Sequence, residues 1–255
     1  MAGRLNGKVA LISGGATGMG GAASRLFAAE GAKVGIVDRN VEAGNAAVAD
    51  IRRGGGTAVF AAADVSKSAE IRHAVAEVNA ALGTITVLFN HAGSIVIKPF
   101  LETTEADYDW LMDVNVRSMF MMTQTVLPQM IAAGGGSIVC TSSISGIVST
   151  PMEVLYSATK GACHMFARAI AVDFRDKGIR CNAVCPGFVR TPHGLREVKE
   201  LQALGIDTSD AALAASQGRI CEPEEVARAA LFLASDEASF VNGTHLFVDN
   251  GFTAV

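Results

Sequence analysis

Seven short apolar stretches alternate with stretches of helical periodicity along the whole chain, and this alternation constrains the fold more than any other feature. The apolar stretches occupy residues 8–13, 33–38, 57–64, 86–93, 137–143, 179–187 and 244–248. Strands that are apolar on both faces and separated by helices form a parallel sheet with helices on each side. One unbroken series in 255 residues predicts a single α/β domain, residues 1–255, with a doubly wound parallel sheet of about seven strands.

The stretches between the predicted strands have the apolar spacing of helices. They occupy residues 19–30, 42–53, 68–82, 104–132, 154–177, 194–217 and 223–234. Residues 192–217 have the weakest pattern, and we expect them to form a lid over a ligand site. In sheets of this kind ligands bind beyond the carboxyl ends of the strands, so functional residues are expected there.

Charge and hydropathy exclude several classes of partner. The net charge is −4 and no run of Lys and Arg occurs, so the chain lacks the basic surface of a nucleic-acid-binding protein. No stretch of about 18 uncharged apolar residues is present, so no membrane span is predicted. The N-terminal residues lead directly into the first predicted strand without the apolar core of a signal peptide, which predicts a cytoplasmic location.

The five cysteines predict neither disulfides nor a metal site. An odd number of cysteines without a signal peptide favours reduced thiols. Cys181 and Cys185 have a spacing compatible with half of a metal site, but no second Cys or His pair with matching spacing follows. We therefore expect no bound metal.

A glycine-rich turn follows the first predicted strand, where residues 13–20 read SGGATGMG. Gly14, Gly18 and Gly20 let backbone N–H groups approach a phosphate, and the start of the next helix adds its partial positive charge. The alternative is an ordinary tight turn. Its place directly after the first strand of an α/β series favours a dinucleotide site.

The second predicted strand ends in Asp38, which can accept hydrogen bonds from the adenosine ribose hydroxyls. A carboxylate there repels a 2′-phosphate, because like charges at about 4 Å and an effective dielectric of about 20 repel by about 4 kcal/mol. Arg39 favours NADP, since its side chain can pair with a 2′-phosphate. No basic residue lies in the glycine turn, so the sequence favours NAD over NADP.

Suitable side chains also follow the third and fourth predicted strands. Asp64 and Val65 end the third, and a carboxylate there can accept a hydrogen bond from the adenine amino group. Asn90, Ala92 and Gly93 end the fourth, where small side chains leave room for a ribose. Each signal is weak alone, and their common position at the strand ends makes them informative.

Tyr156 and Lys160 stand four residues apart in the stretch YSATK. If this stretch is helical, both side chains lie on one face and their polar ends can meet. Taken alone, the pair is more often a tyrosine and a lysine on a solvated helix face. Its meaning depends on the rest of the chain.

The order and spacing of these motifs resemble the classical short-chain dehydrogenase/reductase family over essentially the whole chain. The resemblance rests on residues 13–20, Asp64, residues 90–93, Asn115, Ser143, Tyr156, Lys160, Pro186 and Gly187. It implies a Rossmann-like fold of seven strands, NAD(P)-dependent interconversion of alcohol and carbonyl groups, and commonly a homotetramer.

Two positions need a choice within this resemblance. At His91 the family usually has Asn, and the residue is either a hydrogen-bonded core histidine or a titrating functional group. The family's catalytic serine lies thirteen residues before the tyrosine, which selects Ser143 over Ser142, with Ser145 a third candidate. If the strand alternates, only one of the neighbouring serines faces the site.

The resemblance gives each catalytic residue a role. Lys160 lowers the pKa of the Tyr156 phenol, so that Tyr156 removes the alcohol proton. Ser143 hydrogen-bonds the reacting oxygen, and Lys160 also reaches the nicotinamide ribose. Asn115 holds a water that relays the proton, and Thr191 holds the nicotinamide carboxamide unless it only begins a helix.

The sequence therefore predicts an NAD-dependent oxidoreductase acting on a secondary alcohol or its ketone. The predicted cofactor-binding residues are Gly14, Thr17, Gly18, Met19, Gly20, Asp38, Arg39, Asp64, Val65, Asn90, Ala92, Gly93, Tyr156, Lys160, Pro186, Gly187, Val189 and Thr191. The alternatives are an NADP(H)-dependent ketoacyl-type reductase, which Asp38 disfavours, and a dinucleotide-sensing protein without turnover.

The substrate is predicted to be a compact, largely apolar alcohol or ketone. The predicted substrate-binding residues are Ser143, Tyr156, Ile95 and Met152, with Val96, Ile144 and Val154 as further apolar wall. In the lid, His193 and Arg196 are expected to serve solubility and hinging and not to bind a carboxylate.

Overall fold

A computed structural model describes residues 3–254 and shows how the elements assemble. The strands are β1 (Val9–Ser13), β2 (Lys33–Asp38), β3 (Thr57–Ala62), β4 (Val87–Asn90), β5 (Gly136–Thr141), β6 (Ile179–Pro186) and β7 (His245–Val248). The α-helices are α1 (Gly18–Ala29), α2 (Val41–Arg53), α3 (Ser68–Leu82), α4 (Glu105–Met112), α5 (Ser118–Ala132), α6 (Val154–Asp173), α7 (Pro192–Ala203), α8 (Asp210–Gln217) and α9 (Pro223–Ala234). Short 3₁₀ turns occupy Phe100–Glu102, Ile144–Gly146, Arg175–Lys177, Asp236–Ala238 and Phe252–Ala254. The predicted domain also includes Met1, Ala2 and Val255, which lie outside the described residues.

The seven strands form one parallel sheet in the order β3-β2-β1-β4-β5-β6-β7. The strands β2 and β3 are added on one side of β1, and the strands from β4 onward are added on its other side, so β1 and β4 are neighbours. Ser13 at the end of β1 pairs with Asn90 at the end of β4, which brings the loops after both strands to one edge. This reversal point is where sheets of this type open a crevice for a ligand.

Helices cover both faces of the sheet, and each face has its own apolar core. On one face Phe27 of α1 and Phe89 of β4 are both fully buried, with ring centres 6.2 Å apart. On the other face α3, α5 and α6 pack against the sheet through residues such as Ile71, Met122 and Ala167. Burying one such large apolar side chain contributes about 2 kcal/mol, so both layers hold the strand ends in register.

Several predicted elements have different boundaries in the structure; the strands predicted at 86–93 and 137–143 end at Asn90 and Thr141, and the helix predicted at 154–177 ends at Asp173. The predicted helix 104–132 consists of α4 and α5 joined by a π-helical segment at Asp113–Arg117. The predicted helical stretch 194–217 is two helices, because α7 ends at Ala203 and Ser209 caps a new start for α8. The strand predicted at 57–64 ends at Ala62, so Asp64 lies in the loop beyond β3.

The described residues also bear on the cysteines and on membrane insertion. All five cysteines are buried with no disulfide among them, and burial raises the pKa of the Cys185 thiol above its ordinary value. Within residues 3–254 there is no grouping of three or more His, Cys, Asp and Glu side chains suited to a metal ion. Over the same residues, none of the helices has the length and apolar character needed to cross a membrane.

Candidate active site

A cavity of about 280 Å³ opens at the carboxyl ends of β1, β4, β5 and β6. Most of the predicted cofactor-binding residues line it, namely Gly14, Thr17, Gly18, Met19, Asp38, Arg39, Asp64, Val65, Ala92, Gly93, Tyr156, Lys160, Pro186, Gly187, Val189 and Thr191. Gly20 and Asn90 do not face the cavity. The fold thus brings together residues that are more than 170 positions apart in the sequence.

The glycine turn forms a close-fitting cradle at one end of this cavity. Gly14 and Gly18 have φ angles of +67° and +53°, a conformation that favours glycine. A Cβ on Gly14 would lie 3.0 Å from the Cα of Ala92, and one on Gly20 would collide with the carbonyl of Gly14. These glycines keep space clear for a phosphate group beside the N-terminus of α1, so the turn fits a dinucleotide.

Two carboxylates are held in position beyond this turn. Asp38 is half-buried and accepts hydrogen bonds from the backbone N–H groups of Ala16 (3.2 Å) and Asn40 (3.0 Å). Asp64 accepts hydrogen bonds from the backbone and hydroxyl of Ser66 at 3.0 and 2.7 Å. Burial opposes ionisation of Asp64, but the Ser66 hydrogen bonds hold the pKa of its carboxyl below the ordinary value.

Tyr156 and Lys160 lie one turn apart on α6 and both are buried. The Nζ of Lys160 donates to the carbonyl of Thr141 at 2.9 Å and lies 5.5 Å from the centre of the Tyr156 ring. Burial raises the pKa of the Tyr156 phenol, and the carboxyls of Glu197 and Glu153 raise it further. The predicted lowering by Lys160 is therefore not what dominates here, because burial and then the two carboxyls act against it.

The two neighbouring serines at the end of β5 have different partners. The Ser142 hydroxyl donates to the carbonyl of Lys160 at 3.0 Å, which ties the strand to α6. The Ser143 hydroxyl accepts from the backbone N–H of Ser145 at 3.1 Å and lies close enough to the Tyr156 phenol to lower the phenol pKa. Both line the cavity, but the arrangement favours Ser143 as the one that meets a substrate oxygen.

Asn115 is buried in the π-helical segment and does not line the cavity. Its carbonyl accepts from the backbone N–H of Ser94 at 2.8 Å. Its amide donates to the carbonyl of Ser94 at 2.9 Å and to the hydroxyl of Thr159 at 3.0 Å. Both side-chain donors are used, so a relay water at this residue could only donate a hydrogen bond, to the free lone pair of Oδ1 or to the main-chain carbonyl.

Asn90 and His91 brace the sheet under the cavity. The amide of Asn90 donates to the hydroxyl of Thr123 at 2.9 Å, so Asn90 supports the cavity wall from behind. The Nδ1 of His91 lies 3.0 Å from the hydroxyl of Thr141 on the neighbouring strand. His91 is half-buried and also lines the cavity, and burial, followed by Lys160, lowers its pKa to about 3, so its ring is neutral near pH 7.

Thr191 begins α7 and faces the cavity. Its hydroxyl oxygen accepts from the backbone N–H of Gly194 at 3.0 Å, the contact of a helix N-cap. The hydroxyl proton stays available to donate to a ligand. The helix-start interpretation of Thr191 is thus correct, and it is compatible with the predicted contact to a carboxamide.

The substrate end of the cavity differs from the predicted apolar wall. Ile95 and Met152 pack in an adjacent apolar cluster and do not line the cavity. Its apolar lining is Trp110, Val114, Ile144 and Phe188, and its polar lining includes Ser145, Thr150, His193 and Glu197. The sequence analysis missed Trp110 and Glu197, and the one available signal was the four-residue spacing of His193 and Glu197 on the lid helix.

Known proteins of similar sequence cover nearly the whole chain. The family described as enoyl-(acyl carrier protein) reductase matches residues 14–253. The cyclopentanol dehydrogenase of Comamonas sp. (strain NCIMB 9872) is 43% identical over 254 residues, 99% of each chain. The 2,5-dichloro-2,5-cyclohexadiene-1,4-diol dehydrogenase of Sphingobium indicum is 38% identical over 253 residues, again 99% of each chain.

Solved structures share the fold closely. Levodione reductase superposes with a TM-score of 0.94 at 32% identity, covering 98% of this chain and 99% of that one. A 7α-hydroxysteroid dehydrogenase complex with NADH gives 0.90 at 32% identity, covering 97% and 95%. A gluconate 5-dehydrogenase of Burkholderia cenocepacia J2315 with NADP gives 0.89 at 35% identity, covering 99% and 97%.

The doubly wound sheet, its lined cavity and these similarities define the protein as a dinucleotide-dependent oxidoreductase. The chain belongs to the short-chain dehydrogenase/reductase family, whose members use a nicotinamide dinucleotide. The predicted fold class and the family resemblance are thereby confirmed. The similar structures include complexes with both NADH and NADP, so the choice between them rests on this chain's own residues.

Proposed function

We propose that the protein is an NAD-dependent oxidoreductase that interconverts a secondary alcohol and its ketone, with Tyr156 as general acid and base. The observation that carries this proposal is the single cavity lined by the glycine turn, by Asp38 and by the group Ser143, Tyr156 and Lys160. The cyclic alcohols in the names of the similar dehydrogenases support a secondary alcohol as the substrate class.

The proposed mechanism uses residues of this chain to bind the reacting oxygen and to move its proton. A bound nicotinamide dinucleotide supplies the hydride acceptor or donor. The Ser143 hydroxyl holds the substrate oxygen beside Tyr156, whose phenol exchanges a proton with it. Lys160 lies under the Tyr156 ring, and a cation there favours the phenolate against the burial that raises the phenol pKa.

NAD is proposed over NADP because of the geometry around Asp38. Its carboxylate is fixed by backbone N–H groups on the cavity wall, where it can accept from both ribose hydroxyls and would repel a 2′-phosphate. Arg39 is exposed and also lines the cavity, so it is the residue through which an NADP-dependent ketoacyl-type reductase would have to work.

The test measures nicotinamide absorbance with a panel of cyclic and acyclic secondary alcohols and ketones. Tyr156→Phe removes only the hydroxyl that exchanges the proton, so turnover should fall by about 10²- to 10⁴-fold. NADH binding, followed by fluorescence titration, should stay close to wild type because phosphate and ribose contacts lie elsewhere. Ser143→Ala should also lower turnover strongly, whereas Ser142→Ala should do much less.

The chain offers a matched control, since it has two tyrosines and the other, Tyr108, is 51% exposed on α4. Tyr108→Phe should keep wild-type turnover. If Tyr156→Phe also kept it, the proposed chemistry would be wrong. A wild-type protein that binds NADH yet turns over no member of the panel would instead support a dinucleotide-sensing role.

A further inference from the structure

The lid helix α7 presents two polar side chains to the substrate end of the cavity. His193 and Glu197 are one turn apart, so they lie on the same face of the helix, and both line the cavity near Tyr156. Neither side chain forms a hydrogen bond with another of the described residues, 3–254. Both are half-buried, so each keeps polar atoms open to a ligand or water in the cavity.

The neighbouring charges of α7 do not explain this arrangement. Arg196 is exposed and its guanidinium lies 3.6 Å from Glu200, on the outer side of the helix. Arg196, the basic residue next to Glu197 in the sequence, thus pairs with Glu200 and not with Glu197. The sequence pattern of a solvated helix therefore applies to Arg196 and Glu200, while Glu197 is turned inward.

A third group adjoins this pair. Glu153 is fully buried just before α6, and its Oε1 has no hydrogen-bond partner within the part of the chain that the structure describes. Its Oε2 is 3.4 Å from the hydroxyl of Ser145, a residue that itself lines the cavity. Burial raises the pKa of Glu153 to about 7, and burial together with Glu153 raises the pKa of Glu197 to about 8.

Near pH 7 the carboxyls of Glu153 and Glu197 are both neutral or carry one negative charge between them. Burial, followed by Arg196, lowers the pKa of His193 to about 4, so its ring is neutral as well. A neutral carboxyl and a neutral imidazole each donate and accept one hydrogen bond. That chemistry matches a hydroxyl group, which also donates and accepts. A carboxylate ligand would be repelled by the partly ionised carboxyl pair. An ammonium ligand would find largely uncharged partners and gain little attraction.

We propose that His193 and Glu197 form a polar subsite that binds a second hydroxyl group of the substrate. The preferred substrates are then compact cyclic diols and the corresponding hydroxyketones, in place of the largely apolar alcohol expected from the sequence. Trp110 and Phe188 supply the apolar walls for the ring. The inference rests on the proposed alcohol oxidation and adds the substrate class to it.

The test compares cyclopentanol with the vicinal cyclopentanediols, cis and trans, in wild type and variants with NAD. Wild type should have the higher kcat/KM for a diol. Glu197→Leu removes the hydrogen-bonding group, and the diol-to-monool ratio of kcat/KM should fall by about tenfold to hundredfold, mostly through KM. Glu197→Gln keeps a donor and an acceptor and should retain most of the preference.

Glu200→Gln, on the outer face of the same helix, is the matched control and should leave the ratio unchanged. Melting temperatures of all variants separate loss of the subsite from loss of fold. A higher kcat/KM for cyclopentanol in wild type, or an unchanged ratio in Glu197→Leu, overturns the subsite while leaving the alcohol oxidation intact. Failure to oxidise both of these compounds and every other alcohol of the panel overturns both proposals.

Discussion

Burial and two nearby carboxyl groups control how Tyr156 ionises. Burial raises the phenol pKa, and ionised Glu197 and Glu153 raise it further. The Lys160 ammonium, 5.5 Å from the ring centre, acts against them, and the neutral imidazoles of His91 and His193 add no charge near pH 7. The base in alcohol oxidation is the phenolate. The pH dependence of the reaction therefore reports the balance between these groups.

We expect Glu197→Gln to move the pH profile of alcohol oxidation to lower pH. Above about pH 8, where Glu197 is ionised, removing its negative charge makes the neighbouring phenolate easier to form, so the apparent pKa of the acid limb falls and kcat rises between that pH and the pKa. The measurement is the pH dependence of kcat for cyclopentanol, which lacks the second hydroxyl. Glu200→Gln should leave the profile in place, and a shift of Glu197→Gln to higher pH would contradict the assignment.

We expect Asp38→Ala to weaken the preference for NAD. The variant loses the acceptor for the ribose hydroxyls and the repulsion of a 2′-phosphate, so the NAD-to-NADP ratio of kcat/KM should fall by at least about tenfold. The matched control is Asp50→Ala, because Asp50 is an exposed carboxylate on α2 that pairs with Arg53 at 3.0 Å. A wild type that already prefers NADP, or an unmoved ratio, would show that Asp38 does not select the cofactor.

Residues that act through local sequence could be predicted, and residues placed by long-range packing could not. The glycine turn, Asp38 and the Tyr156–Lys160 pair each have their meaning within a few positions of a strand end or helix. Glu197 stands among Arg196, Lys199 and Glu200, which is the pattern of a solvated helix. The Glu197 carboxyl is turned toward Tyr156 only by the tertiary position of α7 over the cavity.

Local sequence also fails to predict one whole element, the π-helical segment between α4 and α5. Residues 113–117 read DVNVR and contain no glycine or proline that would mark an interruption. Single turns of π-helix inside α-helices often occur at functional sites. Here the segment places the Asn115 amide between the backbone of Ser94 and Thr159 of α6, contacts that no local pattern reveals.

We expect Asn115→Ala to lower both stability and activity. The backbone N–H and carbonyl of Ser94 lose their partners, which should reduce the free energy of unfolding by about 1–3 kcal/mol. Turnover should fall as well, because Ser94 lines the cavity. The measurement is chemical denaturation beside the absorbance assay, with Asn45→Ala on the exposed face of α2 as control. Equal denaturation midpoints for wild type and Asn115→Ala would contradict this role.

Exposed apolar side chains on the whole molecule point to assembly. Four phenylalanines near the end of the sequence, Phe232, Phe240, Phe247 and Phe252, favour burial by a partner subunit, but only Phe240 is fully exposed while the other three are half-buried. Phe120 of α5 and Met165 of α6 are 51% and 61% exposed, and Phe120 packs against Phe166 of α6 with ring centres 5.9 Å apart. Large exposed apolar surface is often covered by a partner.

We expect a homotetramer of 222 symmetry, measured by light scattering at micromolar concentration. Phe120→Asp and Met165→Asp place charges on the exposed face of α5 and α6 and should yield smaller species. Val41→Asp changes an apolar side chain that is 52% exposed at the start of α2 and should keep the wild-type mass. A wild type that is a stable monomer would refute the tetramer.

The helix α7 reaches from one end of the cavity to the other. Its N-cap, Thr191, lies beside the proposed nicotinamide position, and Glu197 lies at the substrate end. Whatever fixes its first residue also fixes the polar groups that the alcohol meets. The protein should therefore follow a compulsory order of addition, in which the dinucleotide arrives first and leaves last, and the alcohol finds its subsite only on the binary complex.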